Sequence, residues 1–207
     1  MGQKERRQRE KMQRRTQILN AARALLLKEG FSKTSVNKIS RKAELSIGSI
    51  YFYFKNKEEI FASLQQEGLE ILHAYVNSET EGITDCRERL KKGAEAYYRF
   101  SRRHKDYFDV INYFLSSPQV FFSENEKRTI HSKGAMILEN IANTVSRGAA
   151  EGVFVEDYPG NFAMLFWASL HGLIQMRKLR GTMLESEDFD TFFQYSVDKL
   201  IDSIRRK

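Results

Sequence analysis

Apolar residues recur at steps of three and four along most of the chain, and this spacing predicts amphipathic helices. The first stretch runs from Thr16 to Glu29, with Gly30 at the position of a C-terminal cap. A short second helix follows, opened by Thr34 or Ser35 as its N-cap. A third, very short helix is predicted over Ile47 to Phe52.

A capping box at Asn56 and Glu59 opens a fourth helix that continues to about Val76. The polar stretch that follows, Ser78 to Asp85, is the predicted domain boundary. Only two prolines, Pro118 and Pro159, interrupt the chain, so the predicted fold is all-α, with about nine helices. The remaining helices are predicted over about 85–102, 104–116, 123–150, 159–174 and 189–204.

The last two helices carry long apolar stripes with near-heptad spacing, which favours a helical bundle. The segment 160–174 is apolar on more than one side, so we expect a second copy of the chain to cover part of it. Alternatively, both stripes cover only the core of a single chain. The candidate dimerisation residues are Phe166, Leu170, Leu173, Ile174, Phe193, Val197, Leu200 and Ile201.

The net charge of +7 is concentrated near the N-terminus. Residues 1–60 hold 15 Lys/Arg against 6 Asp/Glu, and residues 1–15 alone hold seven basic and two acidic residues. A basic first third on a near-neutral remainder is typical of a nucleic-acid-binding head, although an anionic membrane surface attracts the same charge. Residues 1–15 are predicted to form a solvated, partly disordered arm.

The chemistry of the chain argues against an enzyme. Cys86 is the single cysteine and the histidines lack metal-ligand spacing, so we expect no disulfide, metal or cofactor. No nucleophile elbow, paired-carboxylate motif or phosphate-binding loop is present. No apolar run approaches the roughly 20 residues of a membrane span, and no signal peptide follows the basic start. The sequence therefore predicts a soluble, cytoplasmic protein.

The stretch from Thr34 to Lys57 has the pattern of a helix-turn-helix: two short helices, a tight turn and a Tyr/Phe cluster. Small residues at the start of the third helix let its backbone approach DNA, and its N-terminal N–H groups suit phosphate. Tyr51 and Tyr53 carry hydroxyls that can donate to phosphate oxygens. Ile47 suits a thymine methyl and Asn37 an adenine edge.

Other residues of this stretch are assigned by position. Ile50 and Phe54 lie on the inner face of the third helix and are predicted to be core. Lys57 stands at the start of the fourth helix, where a positive charge opposes the helix dipole. Binding to a phosphate explains a lysine at this position better than a contribution to helix stability does.

The same stretch closely resembles the DNA-binding head of the TetR family of transcriptional regulators. The resemblance is specific over about residues 15–65 and looser over 148–172. Glu44 departs from it, since the family usually has glycine there and a left-handed backbone costs about 1 kcal/mol for other residues. The matching residues are Gly30, Phe31, Thr34, Ile39, Ala43, Ser46, Gly48, Ser49, Ile50, Tyr51, Tyr53, Phe54, Asn56 and Lys57.

The resemblance implies a dimeric repressor with a three-helix head, released from a palindromic operator by a small, lipophilic or aromatic effector. The predicted division is 1–15 basic arm, 16–57 helix-turn-helix domain, 58–77 connecting helix and 78–207 ligand-binding and dimerisation domain. The implied DNA-contacting residues are Thr34, Ser35, Asn37, Ser46, Ile47, Gly48, Ser49, Tyr51, Tyr53 and Lys57.

The body is rich in aromatic and sulfur-containing side chains that can line an apolar pocket or fill a core. The candidate pocket residues are Phe108, Tyr113, Phe114, Phe122, Met136, Met164, Trp167 and His171. A body packed solid with these side chains favours the alternative function, a DNA-binding architectural or protein-partnered regulator without a small-molecule effector.

Overall fold

A computed structural model describes residues 2–116, 122–177 and 188–206. These residues form nine α-helices and one isolated β-bridge, Phe154 with Arg205, so the prediction of an all-α chain is confirmed. None of the described helices combines the length and apolar character needed to cross a membrane. The helices are α1 Gln3–Lys33, α2 Val36–Lys42, α3 Ile47–Tyr53, α4 Lys57–Thr80, α5 Cys86–Arg103, α6 Lys105–Ser116, α7 Glu124–Ala150, α8 Pro159–Met176 and α9 Phe189–Asp202.

The chain divides into two compact units, and α4 and α7 each begin in the first and end in the second. The first unit comprises Met1–Glu70 and His104–Ser132, and the second comprises Ile71–Arg103 and Lys133–Lys207. The first unit therefore contains α6 as well as α1 to α3, because α6 packs against α1. Pro118, which was predicted to follow the end of α6, lies outside the described residues.

The first unit has a core assembled from the inner faces of its short helices. The apolar stripe of α1 supplies Ile18 and Leu26, while α2 and α3 supply Ile39 and Ile50, all fully buried. Each such side chain contributes roughly 1.5–3 kcal/mol through burial. The core also contains Phe54, Ile60, Phe61, Leu64 and Val110.

Side-chain caps define the ends of these helices largely as predicted. Ser35 and Ser46 accept hydrogen bonds from the backbone N–H groups of Lys38 and Ser49, at 3.3 and 3.1 Å. At the start of α4, the Asn56 side chain caps the Glu59 N–H at 2.8 Å. The Glu59 carboxylate accepts from Lys55 N–H rather than from Asn56, so the predicted capping box is displaced by one residue on that side.

The N-terminal arm differs from the prediction of partial disorder. Residues from Gln3 onward continue the α1 helix, and the side chains from Lys4 to Arg14 are solvent-exposed. Straight-chain Lys, Arg, Gln and Glu residues have high helix propensity, and the Arg6–Glu10 ion pair spans one turn. The helix breaks at Gly30, whose φ of 80° is accessible to glycine at little cost.

The second unit packs α5, α8 and α9 against one another. Leu90 and Phe100 of α5 are buried, together with Phe166 of α8 and Phe193 of α9. Ion pairs between α5 and α9, such as Arg87–Asp202 at 2.8 Å, lie at the edge of this core. Pro159 occupies the first turn of α8, where a missing N–H costs no helical hydrogen bond.

Candidate functional site

The outer face of α3 is an exposed apolar surface of the first unit. Ile47, Tyr51 and Phe52 are 44%, 54% and 75% exposed, whereas Ile50 and Phe54 are buried as predicted. One side of this two-turn helix therefore anchors it in the core, and the other presents aromatic and aliphatic side chains to solvent. Such a helix is free to enter a groove of another molecule.

The turn between α2 and α3 fixes the direction in which α3 points. Glu44 adopts a left-handed backbone with φ of 53°, the conformation in which glycine would be unstrained. Leu45 N–H closes the turn by donating to Ser40 O at 3.0 Å. The Gln17 side chain of α1 donates to Ala43 O at 2.7 Å, so α1 also holds the end of α2.

Some of the predicted DNA-contacting residues are exposed to solvent, and others form hydrogen bonds or packing contacts within the chain. Ser35 and Asn37 are exposed at the start of α2, and Ser46 and Gly48 are exposed at the start of α3. The hydroxyls of Ser46 and Ser49 lie 2.8 Å apart, and each retains capacity for a further partner.

Thr34 is buried, unlike the other predicted DNA contacts at the start of α2. Its side chain is only 1% exposed, and its hydroxyl donates to Gly30 O at 2.8 Å. The residue closes the end of α1 and offers nothing to a partner. A sequence pattern cannot distinguish adjacent Thr and Ser residues that both suit an N-cap, and the structure assigns that cap to Ser35.

Lys57 has an intramolecular role that the sequence did not indicate. Its Nζ donates to Phe31 O at 3.2 Å and lies 4.0 Å from the centroid of the Phe31 ring. The positive charge therefore binds the C-terminal end of α1, where carbonyl groups lack helical partners. Tyr53 is half-buried with its ring edge-on to Phe52 at 5.0 Å.

Sequence reasoning missed basic side chains that flank the exposed face of α3. Arg41 and Lys42 are exposed in the last turn of α2, and Lys55 is exposed directly after α3. Their charge and their position beside the predicted turn were the available signals. Arg15, by contrast, lies 4.5 Å above the Phe54 ring and donates to Ser63 Oγ at 2.9 Å, so it stabilises the head.

A cavity of about 50 Å³ lies inside the second unit. Its polar side is a network in which Asn140 Nδ2 donates to Asn77 Oδ1 at 2.8 Å and Asn77 Nδ2 lies 3.1 Å from His73 Nε2. Its other side is apolar and includes Leu90, Phe166, Trp167 and Leu170. An apolar enclosure with a few convergent polar groups is the usual composition of a small-molecule site.

Tyr97 links this cavity to His171. The Tyr97 ring lines the cavity, and its hydroxyl lies 2.8 Å from His171 Nδ1. The imidazole stacks on Trp167 with ring centroids 5.1 Å apart. Burial raises the pKa of Tyr97 and lowers the pKa of His171, so both groups favour their neutral forms.

Most of the predicted pocket residues lie away from this cavity. Tyr113, Phe114 and Phe122 pack against the core of the first unit, where Tyr113 Oη accepts a hydrogen bond from Phe31 N–H at 2.9 Å. Phe108 is buried in α6, while Met136 and Met164 are 43% and 52% exposed. Of the eight predicted residues, Trp167 lines the cavity and His171 contacts its wall.

The single chain buries most of the predicted dimerisation stripe. The six most buried residues of that stripe are at most 4% exposed in the core of the second unit: Phe166, Leu170, Ile174, Phe193, Val197 and Ile201. Leu173 and Leu200 are half-buried. The large exposed apolar residues of the described parts of α8 and α9 are Met164, Leu165, Met176 and Tyr195, which lie on other faces of these helices.

Comparison with known families identifies both parts of the chain. The family described as bacterial regulatory proteins, tetR family, matches residues 18–64, which contain the helix-turn-helix. The family described as tetracyclin repressor-like, C-terminal domain, matches residues 90–200. The second match alone covers more than half of the 207 residues.

Individual relatives agree with these matches. The transcriptional regulator HbdR of Aromatoleum sp. (strain CIB) is 34% identical over 85 residues, covering 41% of this chain and 37% of HbdR. In sequence, the chain spans only about a third to a half of the length of such curated relatives.

Solved structures extend the likeness in fold to nearly the whole chain. A TetR family regulator from Marinobacter aquaeolei VT8 has a TM-score of 0.73 at 21% identity, covering 97% of this chain and all of that one. FadR from Bacillus subtilis, solved with stearoyl-CoA, has a TM-score of 0.75 at 18% identity, covering 92% and 99%.

The family matches coincide with the structural features derived above. The first falls on the two short helices, the left-handed turn and the exposed α3, and the second includes α7, α8 and most of α5, which line the cavity together with the end of α4. Proteins of this family are regulators of transcription rather than enzymes. The chain belongs to the TetR family of DNA-binding transcriptional regulators.

Proposed function

We propose that the protein is a homodimeric repressor that binds a palindromic operator in the cytoplasm and leaves it when a small lipophilic effector binds. The observation that carries this proposal is the exposed outer face of α3, with Ile47 and Tyr51 in solvent while Ile50 anchors the helix. Each protomer inserts α3 into the major groove, and two-fold symmetry of the protein matches the palindrome.

The contacts proposed at each half-site follow from side-chain chemistry. Ile47 meets a thymine methyl, and Ser49 and Asn37 hydrogen-bond to base edges. Ser35, Ser46, Gly48, Tyr51 and Tyr53 bind phosphate oxygens through hydroxyl or backbone groups. Lys57 retains two of its three ammonium protons for phosphate after bonding to Phe31 O.

A second copy of the chain is the proposed cover for the exposed side of α8. Met164, Leu165 and Ala168 occupy the i, i+1 and i+4 positions of one face and are all exposed. Met176, two turns beyond Ala168, is 51% exposed. An apolar face of this kind suits an isologous two-fold contact.

The effector is proposed to enter the cavity beside Trp167. The cavity of about 50 Å³ is far smaller than the roughly 300–1,000 Å³ of a typical ligand pocket. An effector must therefore widen it, which means that it binds a conformation other than the described one. If that conformation fits the operator less well, effector and DNA weaken each other reciprocally.

The lining favours an effector that is apolar with a neutral hydrogen-bonding group. His73, Asn77 and Asn140 offer amide and imidazole partners, and Leu90 and Leu170 offer apolar contact. FadR of Bacillus subtilis was solved with stearoyl-CoA, so acyl thioesters and the corresponding fatty acids are the first compounds to test.

Fluorescence anisotropy with palindromic DNA from upstream of the protein's own gene tests the DNA-binding half of the proposal. Tyr51→Phe removes only a hydroxyl from the exposed face of α3, and loss of a bond to a phosphate, worth about 1.5–3 kcal/mol, should weaken binding at least about tenfold. Tyr158→Phe is the matched control, because Tyr158 is 69% exposed in the second unit. Equal affinity of both variants would contradict the proposed contact.

The fluorescence of Trp167 tests the effector-binding half of the proposal, because Trp167 is the single tryptophan of the chain and lines the cavity. A ligand that fills the cavity should change the emission of Trp167 and lower the affinity of the protein for its operator. Asn140→Leu should lower the affinity for that ligand while leaving DNA binding intact. Operator binding that no compound alters would favour the alternative, an architectural or protein-partnered regulator.

A further inference from the structure

The stripe of α1 that packs into the core of the first unit changes from apolar to basic residues toward the N-terminus of the helix. Ile18, Ala21 and Leu25 are three consecutive positions of the stripe that packs into the core. Going backward in alternating steps of four and three, the same stripe continues through Arg14, Lys11, Arg7 and Lys4. These residues therefore share one side of the helix, and that side is apolar where it meets the head and basic beyond it.

The four basic residues of this stripe, here called the basic face, are all exposed: Lys4, Arg7, Lys11 and Arg14. Both acidic residues of the extension are engaged away from it. The Glu10 carboxylate pairs with Arg6 at 3.0 Å, and the Glu5 carboxylate accepts from Gly2 N–H at 3.1 Å. The basic face therefore keeps a concentrated positive charge.

Its dimensions suit an extended anionic polymer. With a rise of 1.5 Å per residue, the ten steps from Lys4 to Arg14 span about 15 Å, with a cation roughly every 5 Å. Duplex DNA presents one negative charge per about 1.7 Å of its axis. A lipid surface is a poorer fit, because interfacial helices need a broad apolar face and Met12 is the single apolar residue between Gln3 and Arg14.

We propose that the basic face binds the phosphate backbone of the operator next to the half-site entered by α3. This inference rests on the proposed function, and it adds a sequence-independent contact that raises affinity and salt sensitivity without changing the sequence that is recognised. α1 provides the geometry, because one continuous helix connects the basic face to the stripe that anchors the head.

The test compares two variants of the full-length protein that each remove two charges from the same helix. Arg7→Gln/Lys11→Gln removes two of the four charges of the basic face, and Arg6→Gln/Arg9→Gln removes two charges from the rest of the helix surface. Glutamine has nearly the helix propensity of lysine and arginine, so circular dichroism should show unchanged helicity for both. Operator affinity is then measured by anisotropy over a series of salt concentrations.

Each phosphate that the protein no longer neutralises makes the slope of log affinity against log salt shallower by about 0.9. The Arg7→Gln/Lys11→Gln variant loses four positive charges per dimer and so no longer neutralises four phosphates. Its slope should therefore become shallower by about 3 to 4. Its affinity at low salt should fall at least tenfold. The Arg6→Gln/Arg9→Gln variant should keep nearly the wild-type slope. Both variants should retain the wild-type preference for the palindrome over scrambled DNA.

Equal slopes for the two variants would overturn the inference, since only net charge would then matter. It would also be overturned if Arg7→Gln/Lys11→Gln abolished sedimentation with phosphatidylserine vesicles while leaving the DNA slope unchanged. Failure of the proposed function looks different, because the wild-type protein itself would then show no preference for palindromic DNA.

Discussion

Two glycines of α7 should respond oppositely to the same substitution. A Cβ at Gly148 would lie 2.2 and 2.6 Å from the Cδ2 and Cε2 atoms of Phe154, whereas a Cβ at Gly134 has no neighbour within 4 Å. Both glycines lie in the second unit and within one helix. Alanine in place of each therefore separates packing from helix propensity.

The magnitude follows from the position of the Phe154 ring. Carbon atoms pack at about 3.5–4.0 Å, so the ring must move by more than about 1 Å to admit the new methyl group. The ring is 3% exposed, and Phe154 N–H donates to Gly148 O at 3.1 Å, which limits that movement. Overpacking costs about 1–3 kcal/mol, partly offset by the roughly 1 kcal/mol gain in helix propensity.

We therefore expect Gly148→Ala to lower the free energy of unfolding by up to about 2 kcal/mol and Gly134→Ala to raise it by up to about 1 kcal/mol. Urea unfolding can be followed by the emission of Trp167, which lies in the second unit together with Gly134 and Gly148. The midpoint should move at unchanged slope.

A Phe154→Leu background tests the cause. If the ring is the obstacle, the cost of Gly148→Ala should shrink when a smaller side chain replaces it, giving a measurable coupling energy. The reasoning would be refuted if both alanine variants shifted the midpoint in the same direction, or if the cost at Gly148 were unchanged without the ring.

Three further predictions concern backbone strain, a helix end and pH. Glu44→Gly should stabilise the head by up to about 1 kcal/mol, because glycine relieves the strain of a left-handed backbone. The gain is reduced by the greater entropy of glycine in the unfolded chain. Glu44→Gln keeps the strain and should not raise the thermal unfolding temperature. Tyr113→Phe should destabilise by about 1–2 kcal/mol in the same assay, because Phe31 N–H loses its acceptor, and wild-type stability would contradict that role. Burial lowers the pKa of His171, so its neutral form is favoured in the folded state and the stabilisation is present above the ordinary value of 6.5. Stability should fall as the pH drops below that value, and His171→Gln should flatten this part of the pH profile; an unchanged profile would count against it.

Local features of the chain were predictable because they depend on neighbouring residues. The three- and four-residue spacing of apolar positions, the serine caps at Ser35 and Ser46 and the break at Gly30 all arise within one helical turn. The inward assignment of Ile50 and Phe54 followed from the same periodicity. The outer face of α3 was therefore identifiable as an exposed surface before any tertiary contact was known.

The roles that the sequence did not indicate have a different cause. Thr34, Lys57 and Tyr113 take their roles from the C-terminal end of α1, where each bonds to a backbone group of Gly30 or Phe31. Tyr113 is 82 residues from Phe31 along the chain, and no periodicity encodes a contact at that distance. The helical extension of residues 3–15 was missed because charge composition suggested disorder, although the same residues favour a helix.

The sequence by itself determined the helical elements, the helix-turn-helix and the concentration of positive charge at the N-terminus, since periodicity, capping and charge are local or additive properties. Only the tertiary structure decided which side faces inward in a helix that is apolar on several sides. A helix such as α8 is apolar on several sides, and packing against α5 and α9 buried Phe166 and left Met164 and Leu165 exposed. It likewise placed α6 with the first unit, so that Tyr113 and Phe114 pack against that core and a different set of residues lines the cavity.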